Sequence, residues 1–237
     1  VNSMARAATC AFAGCLLLSG CIAPPVKVKD VQADPAAYLN SHFAPESLAA
    51  SVRKTISNVD GGPMGFHRMT VTMDWKLNED NNEKTPDIQQ VVTLTNAVGS
   101  LVQMDSESSR NNLPISRFYE LSYRGLIPLE TQTMSLSAQF APMIWEVKSF
   151  SQFDPLTTLD ETKHLDYRYE NGTKSQIMNF FSGHSSCVLV KAYPASQVFA
   201  SLSGDADDLE CSQYNNNNVM SNKLRLTYLK KYGVALL

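Results

Sequence analysis

The chain has 237 residues, a formal net charge of −3, and hydrophobic and charged fractions of 43% and 18% that are ordinary for a folded protein. This length fits one large domain or two small ones. The slight acidity argues against a nucleic-acid partner, because proteins that bind nucleic acid present a basic face. No segment after residue 21 is apolar for 18 residues, so we expect no transmembrane helix there.

The first 20 residues differ in composition from the rest of the chain. Arg6 is their only charged residue, and residues 7–18 are almost entirely apolar or small. A stretch of about 12 such residues suits the hydrophobic region of a signal peptide and is too short to span a bilayer. We therefore predict that residues 1–20 are a signal peptide.

This region ends in Leu18-Ser19-Gly20-Cys21. The segment resembles the lipobox of bacterial lipoproteins, in which an apolar residue and two small residues precede a cysteine. The resemblance implies cleavage before Cys21 and acylation of that residue, and two or three acyl chains anchor a protein stably. Ile22 stands where an aspartate would imply retention in the inner membrane, which implies an outer-membrane anchor and a domain facing the periplasm. An ordinary signal peptide, or a buried N-terminal helix with incidental cysteines, is the alternative.

The five cysteines of the chain support this interpretation. Under the lipobox resemblance, Cys10 and Cys15 leave with the signal peptide and Cys21 carries lipid. Cys187 and Cys211 remain, 211 − 187 = 24 positions apart, in a compartment that favours oxidation. We predict a disulfide between them. A metal site or a reactive thiol is the alternative, although neither cysteine belongs to a CxxC motif.

Residues 21–43 are expected to form a tether that holds the domain away from the membrane. The pair Pro24-Pro25 stiffens its first part, and charged residues keep it in water. Asp34 as N-cap and Pro35 at the first helical position predict a short helix within it. A single periplasmic β-rich domain would then occupy residues 44–237.

A second helix is predicted at the start of that domain. Pro45 suits the first helical position, and Leu48, Val52 and Ile56 recur every four residues as an apolar stripe. Gly61-Gly62 would end the helix. We expect the stripe to pack on a sheet. A membrane-surface helix is the alternative, but two basic residues are too few for its polar face.

From Phe66 onward the hydrophobic period changes to two, which is typical of an antiparallel strand with one wet face. Met69, Val71, Met73, Trp75 and Leu77 share the apolar face of the first strand. Gly99 marks a turn or a bulge between two strands. Similar alternation predicts strands within residues 88–104, 115–127, 129–141, 143–150, 164–181, 186–193, 208–214 and 223–236.

Three local features refine this pattern. Asn171-Gly172 predicts a type I′ hairpin turn. Helical spacing between Pro194 and Gly204 predicts an inserted helix. The asparagines at 215–218 are expected to form a hairpin loop.

Together these features predict roughly eight to ten antiparallel strands, one helix before the sheet and one inserted helix. The fold class is α+β and β-dominated. A curved antiparallel sheet, a half-barrel and a sandwich all fit the pattern.

Several methionines and aromatic residues are expected to face inward on the strands. Core packing is the simpler explanation of such residues. A curved sheet lined by them would also hold an acyl chain, as the lipoprotein-carrier fold does, since methionine adapts to irregular apolar ligands. The residues are Met69, Met73, Trp75, Met134, Phe140, Met143 and Trp145.

The sequence contains no recognisable catalytic motif. Residues 183–187, Gly-His-Ser-Ser-Cys, depart from the G-x-S-x-G nucleophile elbow, and a strand rather than a helix follows them. Neighbouring residues on a strand point to opposite faces, so this histidine and the next serine would not form a dyad. The other histidines, His42, His67 and His164, lack metal-binding spacing. We therefore expect no catalytic residue, no cofactor and no metal.

The leading functional hypothesis is a non-enzymatic, outer-membrane-anchored periplasmic lipoprotein. With a lipid anchor on Cys21 in the membrane, it would act as a protein-binding or adaptor module toward an envelope protein, for example as an immunity-type inhibitor. A carrier or sensor of an apolar ligand such as lipid is the first alternative. An envelope hydrolase is the second.

Overall fold

Three short helices begin the part of the chain that the computed structural model describes, which comprises residues 25–59, 62–75 and 88–237. They are α1 (Val28–Ala33), α2 (Pro35–His42) and α3 (Ala50–Asn58). None of the helices in these ranges is long and apolar enough to cross a bilayer. The predicted signal peptide, Cys21, Leu77 and the side chain of Trp75 lie outside the described residues.

An antiparallel sheet of eleven strands follows, and every strand pairs with its neighbours in sequence. The β-dominated antiparallel fold is therefore confirmed. The sheet is open, because the described residues show no pairing between the first strand and the last. The strands are β1 (Arg68–Trp75), β2 (Ile88–Val98), β3 (Leu101–Arg110), β4 (Leu113–Tyr123), β5 (Ile127–Ser135), β6 (Trp145–Phe153), β7 (His164–Thr173), β8 (Phe181–Pro194), β9 (Asp205–Tyr214), β10 (Met220–Leu229) and β11 (Val234–Leu236), and α4 (Thr158–Thr162) lies between β6 and β7.

The helix predicted after Asp34 is confirmed as α2. The Asp34 side chain accepts a hydrogen bond from the Ala37 N–H at 2.9 Å, and Pro35 opens the first turn. This cap satisfies one of the N–H groups that a helix start leaves without an intrahelical partner.

The folded domain begins earlier than the expected residue 44. Val28, Val31 and Phe43 are almost completely buried in the main core cluster. Helices as short as α1 and α2 are not stable alone, so their apolar side chains need the sheet. The ring of Tyr38 lies 5.3 Å from that of Tyr119 in β4. Residues 28–43 therefore belong to the folded domain and not to a tether.

The apolar stripe of the second predicted helix is confirmed, although the helix starts later than expected. Leu48, Val52 and Ile56 are all buried. Pro45 opens a 3-10 turn instead, and the extended backbone at Leu48 separates that turn from α3. The stripe therefore runs from the extended residue Leu48 into α3.

The alternation in β1 and the turn at Gly99 are also confirmed. Met69, Val71 and Met73 are partly buried, while the residues between them are exposed. Gly99 has φ +57 and connects β2 to β3, a conformation that favours glycine.

The type I′ turn at Asn171-Gly172 is wrong, because both residues lie inside β7. Asn171 pairs with Val147 and Phe181, and Gly172 pairs with Glu146. Strands on both sides therefore override the local turn preference, and the connection to β8 lies at residues 174–180. A Cβ at Gly172 would approach the Gln176 side-chain oxygen to 2.6 Å, so a larger residue there would displace the end of that flexible side chain.

The inserted helix between Pro194 and Gly204 is also wrong. Only a 3-10 turn at Ala195–Gln197 forms. The Ala195 N–H donates to the Gly204 carbonyl at 2.8 Å, which brings the two ends of the segment together. A continuous helix of that length would hold its ends about 15 Å apart.

Phe140, Met143 and Trp145 do not face inward as expected, because their side chains are exposed. The strand β5 ends at Ser135, so its alternation does not continue to Phe140. Only two residue pairs join β5 to β6, and Trp145 belongs to one of them. Ile144 fills the core in place of its two neighbours.

Because α2 leads into the core, we expect Phe43→Ala to lower the free energy of unfolding by about 3–5 kcal/mol through loss of a buried ring. Val26→Ala, at an exposed position just before α1, is the control and should change it by less than about 0.5 kcal/mol. Denaturant unfolding measures both. Equal, negligible effects would show that residues 28–43 behave as a tether after all.

Candidate functional site

Two of the predicted site residues meet in the structure. Cys187 and Cys211 lie directly opposite each other in β8 and β9, and their Sγ atoms are 2.04 Å apart. The predicted disulfide is confirmed. In the chain-entropy model, a loop of this length contributes about 3.5 kcal/mol of stability. Cys21 lies outside the described residues.

A cavity of about 320 Å³ opens between strands from the two ends of the strand order. Its lining is mostly apolar, and the disulfide contributes Cys211 to it. We call this space the β-cavity. Its described lining consists of Val71, Met73, Gln90, Val92, Leu94, Met104, Phe118, Glu120, Gly125, Leu126, Pro128, Ser185, Val198, Phe199, Cys211, Gln213, Leu224, Leu226, Thr227 and residues 235–237.

The strands β1–β4 build one wall of the β-cavity through their pairing register. Val71 pairs with Val92, and Leu94 pairs with Met104, which in turn pairs with Glu120. Directly paired residues project from the same face of a sheet, so these side chains form one surface. Alternation along each strand then places the next apolar residues on that same surface.

The strands β8–β10 build the opposing wall. Cys211 pairs with both Cys187 and Leu224, and Ser185 pairs with Gln213. The disulfide thus ties together two of the strands that face β1–β4. A reduced pair would release this wall from its covalent link.

The two walls also pack against each other beside the β-cavity. Val92, Leu94 and Val102 form a buried cluster with Val234 of β11, and Leu236 packs against it. The Gly65 N–H, just before β1, donates to the Tyr232 carbonyl at 3.0 Å. Residues from the start and the end of the sheet therefore share one apolar interior.

Glu120 is the one ionisable side chain among the described residues that line the β-cavity. It is only 7% exposed, and no basic side chain in the described ranges lowers its pKa. Burial raises its pKa to about 7, because the carboxylate loses its hydration, and a hydrogen bond with Ser122 lowers the pKa in part. At neutral pH this group therefore exists in both the acid and the carboxylate form.

Glu120 places one ionisable group in the mostly apolar lining of the β-cavity. As an acid it donates a hydrogen bond, and as a carboxylate it accepts hydrogen bonds or pairs with a cation. A few convergent polar groups on an apolar lining are the usual composition of small-molecule sites.

A second cluster of polar side chains lies on β7 and β8, on the face of the sheet opposite to the one that carries Ser185. His164 Nε2 is 2.8 Å from Ser186 Oγ, and His164 Nδ1 is 3.6 Å from the Asp166 carboxylate. The other oxygen of that carboxylate is 3.0 Å from His184 Nε2. The structure thus brings His164 and His184, which are far apart in sequence, to one carboxylate.

This cluster resembles a hydroxyl–imidazole–carboxylate row but lacks the other parts of a hydrolase site. Ser186 pairs with Asp166 on one side and Ser212 on the other, so the sheet uses the backbone N–H groups around it. An oxyanion hole needs such groups free. A polar hollow of about 660 Å³ includes His184 but neither His164 nor Ser186 among its described lining residues. Within the described ranges, no group of three His, Cys, Asp or Glu side chains is arranged to hold a metal ion.

Sequence reasoning missed both Glu120 and the histidine cluster. Tyr119 and Leu121 suggest an apolar face on β4, which assigns Glu120 to solvent, but the sheet is covered on both faces. The pairing of Ser186 with Asp166 depends on the register of β7 and β8. The turn predicted at Asn171-Gly172 implies a different pairing of the two strands, so this register was not predicted.

No family model, curated protein or solved structure matches this chain.

The buried Glu120 carboxyl predicts a specific pH dependence of stability. Its pKa is 4.5 in the unfolded chain and about 7 in the folded one, so folding favours the protonated form. The stabilisation is full below pH 4.5 and is lost as the pH rises through 7. The difference of 7 − 4.5 = 2.5 pKa units corresponds to about 3 kcal/mol.

We therefore expect Glu120→Gln to be more stable than the wild type by up to about 3 kcal/mol at pH 9, and no more stable at pH 4. Denaturant unfolding over this pH range measures the difference. Thr72→Ala, at an exposed position on β1, is the control and should leave the wild-type pH dependence unchanged. A constant difference between Glu120→Gln and wild type at all pH values would contradict the assignment.

Proposed function

We propose that this chain is a lipid-anchored protein of the bacterial envelope that carries or senses an apolar ligand in the β-cavity. The observation that carries the proposal is the cavity itself. Ligand sites are concave, mostly apolar and usually at least 300 Å³ in volume, and the β-cavity meets these criteria at about 320 Å³. A sheet that served only as a packed core would fill this space with side chains.

The strand order supports a half-barrel around this cavity. The strands β2 and β10 are eight positions apart in the sheet. In a flat sheet, strands so far apart would be separated by about 38 Å. We infer that the sheet curves so that its two ends face each other across the β-cavity.

The polar lining favours an amphipathic ligand over a plain hydrocarbon. Glu120 offers a hydrogen bond or a charge at one point of the wall, while Val92, Leu94 and Leu226 offer apolar contact. An acyl chain with a hydrogen-bonding head group fits this composition. The head group of such a ligand would form a hydrogen bond with the Glu120 carboxyl, which otherwise has few interactions to offset the free-energy cost of its burial.

The anchor and the location rest on the sequence. The lipobox-like segment ending in Cys21, with Ile22 after it, supports acylation and an outer-membrane position facing the periplasm. The disulfide supports an oxidising compartment, because such bonds are rare where thiols are kept reduced.

Filling the β-cavity tests this function directly. The full chain should bind N-phenylnaphthylamine, a neutral apolar fluorophore, and a natural ligand should displace it. We expect Val92→Phe to weaken this binding at least about tenfold, because its ring takes the space of the ligand. The measurement is a fluorescence titration, with a thermal melt to show that the variant is folded.

Val91→Phe is the matched control. Val91 neighbours Val92 on the same strand, points to the other face, and is exposed. The same substitution there should leave fluorophore binding unchanged. Equal binding by both variants would place the fluorophore elsewhere and would refute the cavity as the ligand site.

Hydrolysis at Ser186 is a second candidate, favoured by the 2.8 Å contact between His164 and the Ser186 hydroxyl. It ranks lower because the sheet occupies the backbone donors around that serine. We expect a fluorophosphonate probe to leave Ser186 unlabelled. Labelling that Ser186→Ala abolishes and Ser185→Ala retains would put the hydrolase ahead of the carrier.

The protein-binding or adaptor function, including an immunity-type inhibitor, stays a prediction. An exposed apolar or charged patch is the feature that such a module would need. Affinity purification of the lipidated protein that recovers lipid without a protein partner would count against it.

A further inference from the structure

The connection between β7 and β8 presents large apolar side chains to solvent. Ile177 is 82% exposed and Met178 is 62% exposed. Phe181, the first residue of β8, is also exposed. Apolar side chains exposed together, rather than singly, mark a surface that another phase or molecule covers.

Two residues near the start of β6 extend this surface. The ring of Trp145 lies 5.9 Å from that of Phe181, and the Ser175 hydroxyl donates to the Met143 sulfur at 3.9 Å. Both Met143 and Trp145 are exposed. We call these five residues, Met143, Trp145, Ile177, Met178 and Phe181, the apolar rim.

Internal hydrogen bonds hold the loop of the apolar rim in shape. The Gln176 side-chain amide donates to the carbonyls of Met178 and Asn179 at 3.0 and 2.7 Å, and its oxygen accepts from the Thr173 N–H at 3.3 Å. These bonds satisfy three backbone groups of the loop and hold its shape, and the side chains of Ile177 and Met178 lie outside it in solvent.

An ion pair with a buried carboxylate fixes the base of the same loop. The Lys174 ammonium is 2.7 Å from the Glu130 carboxylate, which is completely buried. It also donates to the His42 carbonyl at 3.2 Å, and the Lys174 N–H donates to the Ile144 carbonyl at 2.8 Å. The exposure of the rim is therefore built into the fold rather than a result of a loose loop.

The chain enters the domain beside the apolar rim. The Ala141 N–H donates to the Val26 carbonyl at 2.9 Å, and Lys27 bridges to Phe140, three residues before Met143. Cys21 precedes Val26 by 26 − 21 = 5 residues. Five residues reach at most about 18 Å even when fully extended. An acyl anchor on Cys21 would hold this edge of the domain close to the bilayer.

The composition around the rim also suits a lipid surface. Neither residues 137–145 nor residues 173–185 contain an aspartate or a glutamate. Tryptophan favours the membrane interface, where its ring meets both the apolar and the polar phase. Carboxylates, which anionic head groups repel, are absent from both segments.

We propose that the apolar rim inserts into the lipid–water interface of the membrane that holds the acylated Cys21, so that the sheet stands with this end on the bilayer. The orientation rests on the lipid anchor of the proposed function. The apolar rim itself does not depend on that anchor. A protein partner that covers the rim is the competing explanation.

Trp145 provides the readout, because Trp75 is the only other tryptophan. Trp75→Phe is introduced into the full chain, which is bound to vesicles of phosphatidylethanolamine and phosphatidylglycerol with brominated acyl chains. Flotation reports membrane association by the anchor or the rim, and quenching of Trp145 emission reports insertion of the rim. We expect flotation, a blue-shifted emission and quenching.

The double substitution Ile177→Ser and Met178→Ser, made in the unlipidated Cys21→Ser chain, should reduce vesicle binding about tenfold or more. Val98→Ser is the matched control. Val98 is similarly exposed, at 58%, but lies next to the β2–β3 turn. Because antiparallel strands alternate in direction, that turn lies at the end of the sheet opposite to the β7–β8 loop. This control should leave vesicle binding unchanged.

The two proposals fail in distinguishable ways. If the protein floats with the vesicles but its Trp145 emission stays unquenched, the rim proposal is overturned and the anchor is retained. A protein partner then becomes the better explanation of the apolar rim. If mass spectrometry finds no acyl chain on Cys21, the anchor fails. The unlipidated chain is then decisive for the rim: quenching of Trp145 on vesicles would support insertion, and its absence would overturn it.

Discussion

A sheet with apolar side chains on both faces must have both faces covered, and the rest of the molecule depends on this constraint. On one face, Tyr119 is covered by Tyr38 of α2 and by Phe43, whose rings lie 5.3 and 5.7 Å from it. On the other face, the cluster around Leu94 contains no helical residue in the described ranges, and Val234 from the last strand completes it. The short helices cover one surface, and the far end of the sheet covers the other.

The contact between the two ends of the sheet leaves the β-cavity unfilled and determines which side chains line it. Two sheet surfaces that meet at their edges pack closely beside Val234 but leave a space where β4 faces β9 and β10. Glu120 lies in that space, where its pKa rises because both surfaces exclude water. A carboxyl group in such a place reduces stability above neutral pH, a cost that proteins tolerate most often at functional sites. The apolar rim belongs to another part of the molecule, so binding and membrane contact would use separate surfaces.

The sequence predicts features that depend on a single strand or helix. The predictions fail where pairing with a neighbouring strand determines the local structure. Alternation around Val71 and the cap at Asp34 are local, and both appear as expected. Asn171-Gly172 forms no turn, because β6 and β8 pair with it on both sides. The large apolar side chain of Trp145 predicts a buried position, yet this residue lies at the exposed start of β6. The cysteine pair was predictable because the expected compartment and the cysteine count, rather than packing, left Cys187 and Cys211 as partners.

The candidate site could not be predicted, because the two walls of the β-cavity are separated by at least 181 − 123 = 58 positions in sequence, and only the long-range curvature of the sheet brings them together. The central claim is that this space holds a ligand, and native mass spectrometry of the protein purified gently from cells tests it most directly. We predict a peak heavier than the covalent mass of the same protein, measured after denaturation, by the mass of one amphipathic lipid, which Val92→Phe loses and Val91→Phe retains. A single peak at the covalent mass for all three proteins would contradict the account.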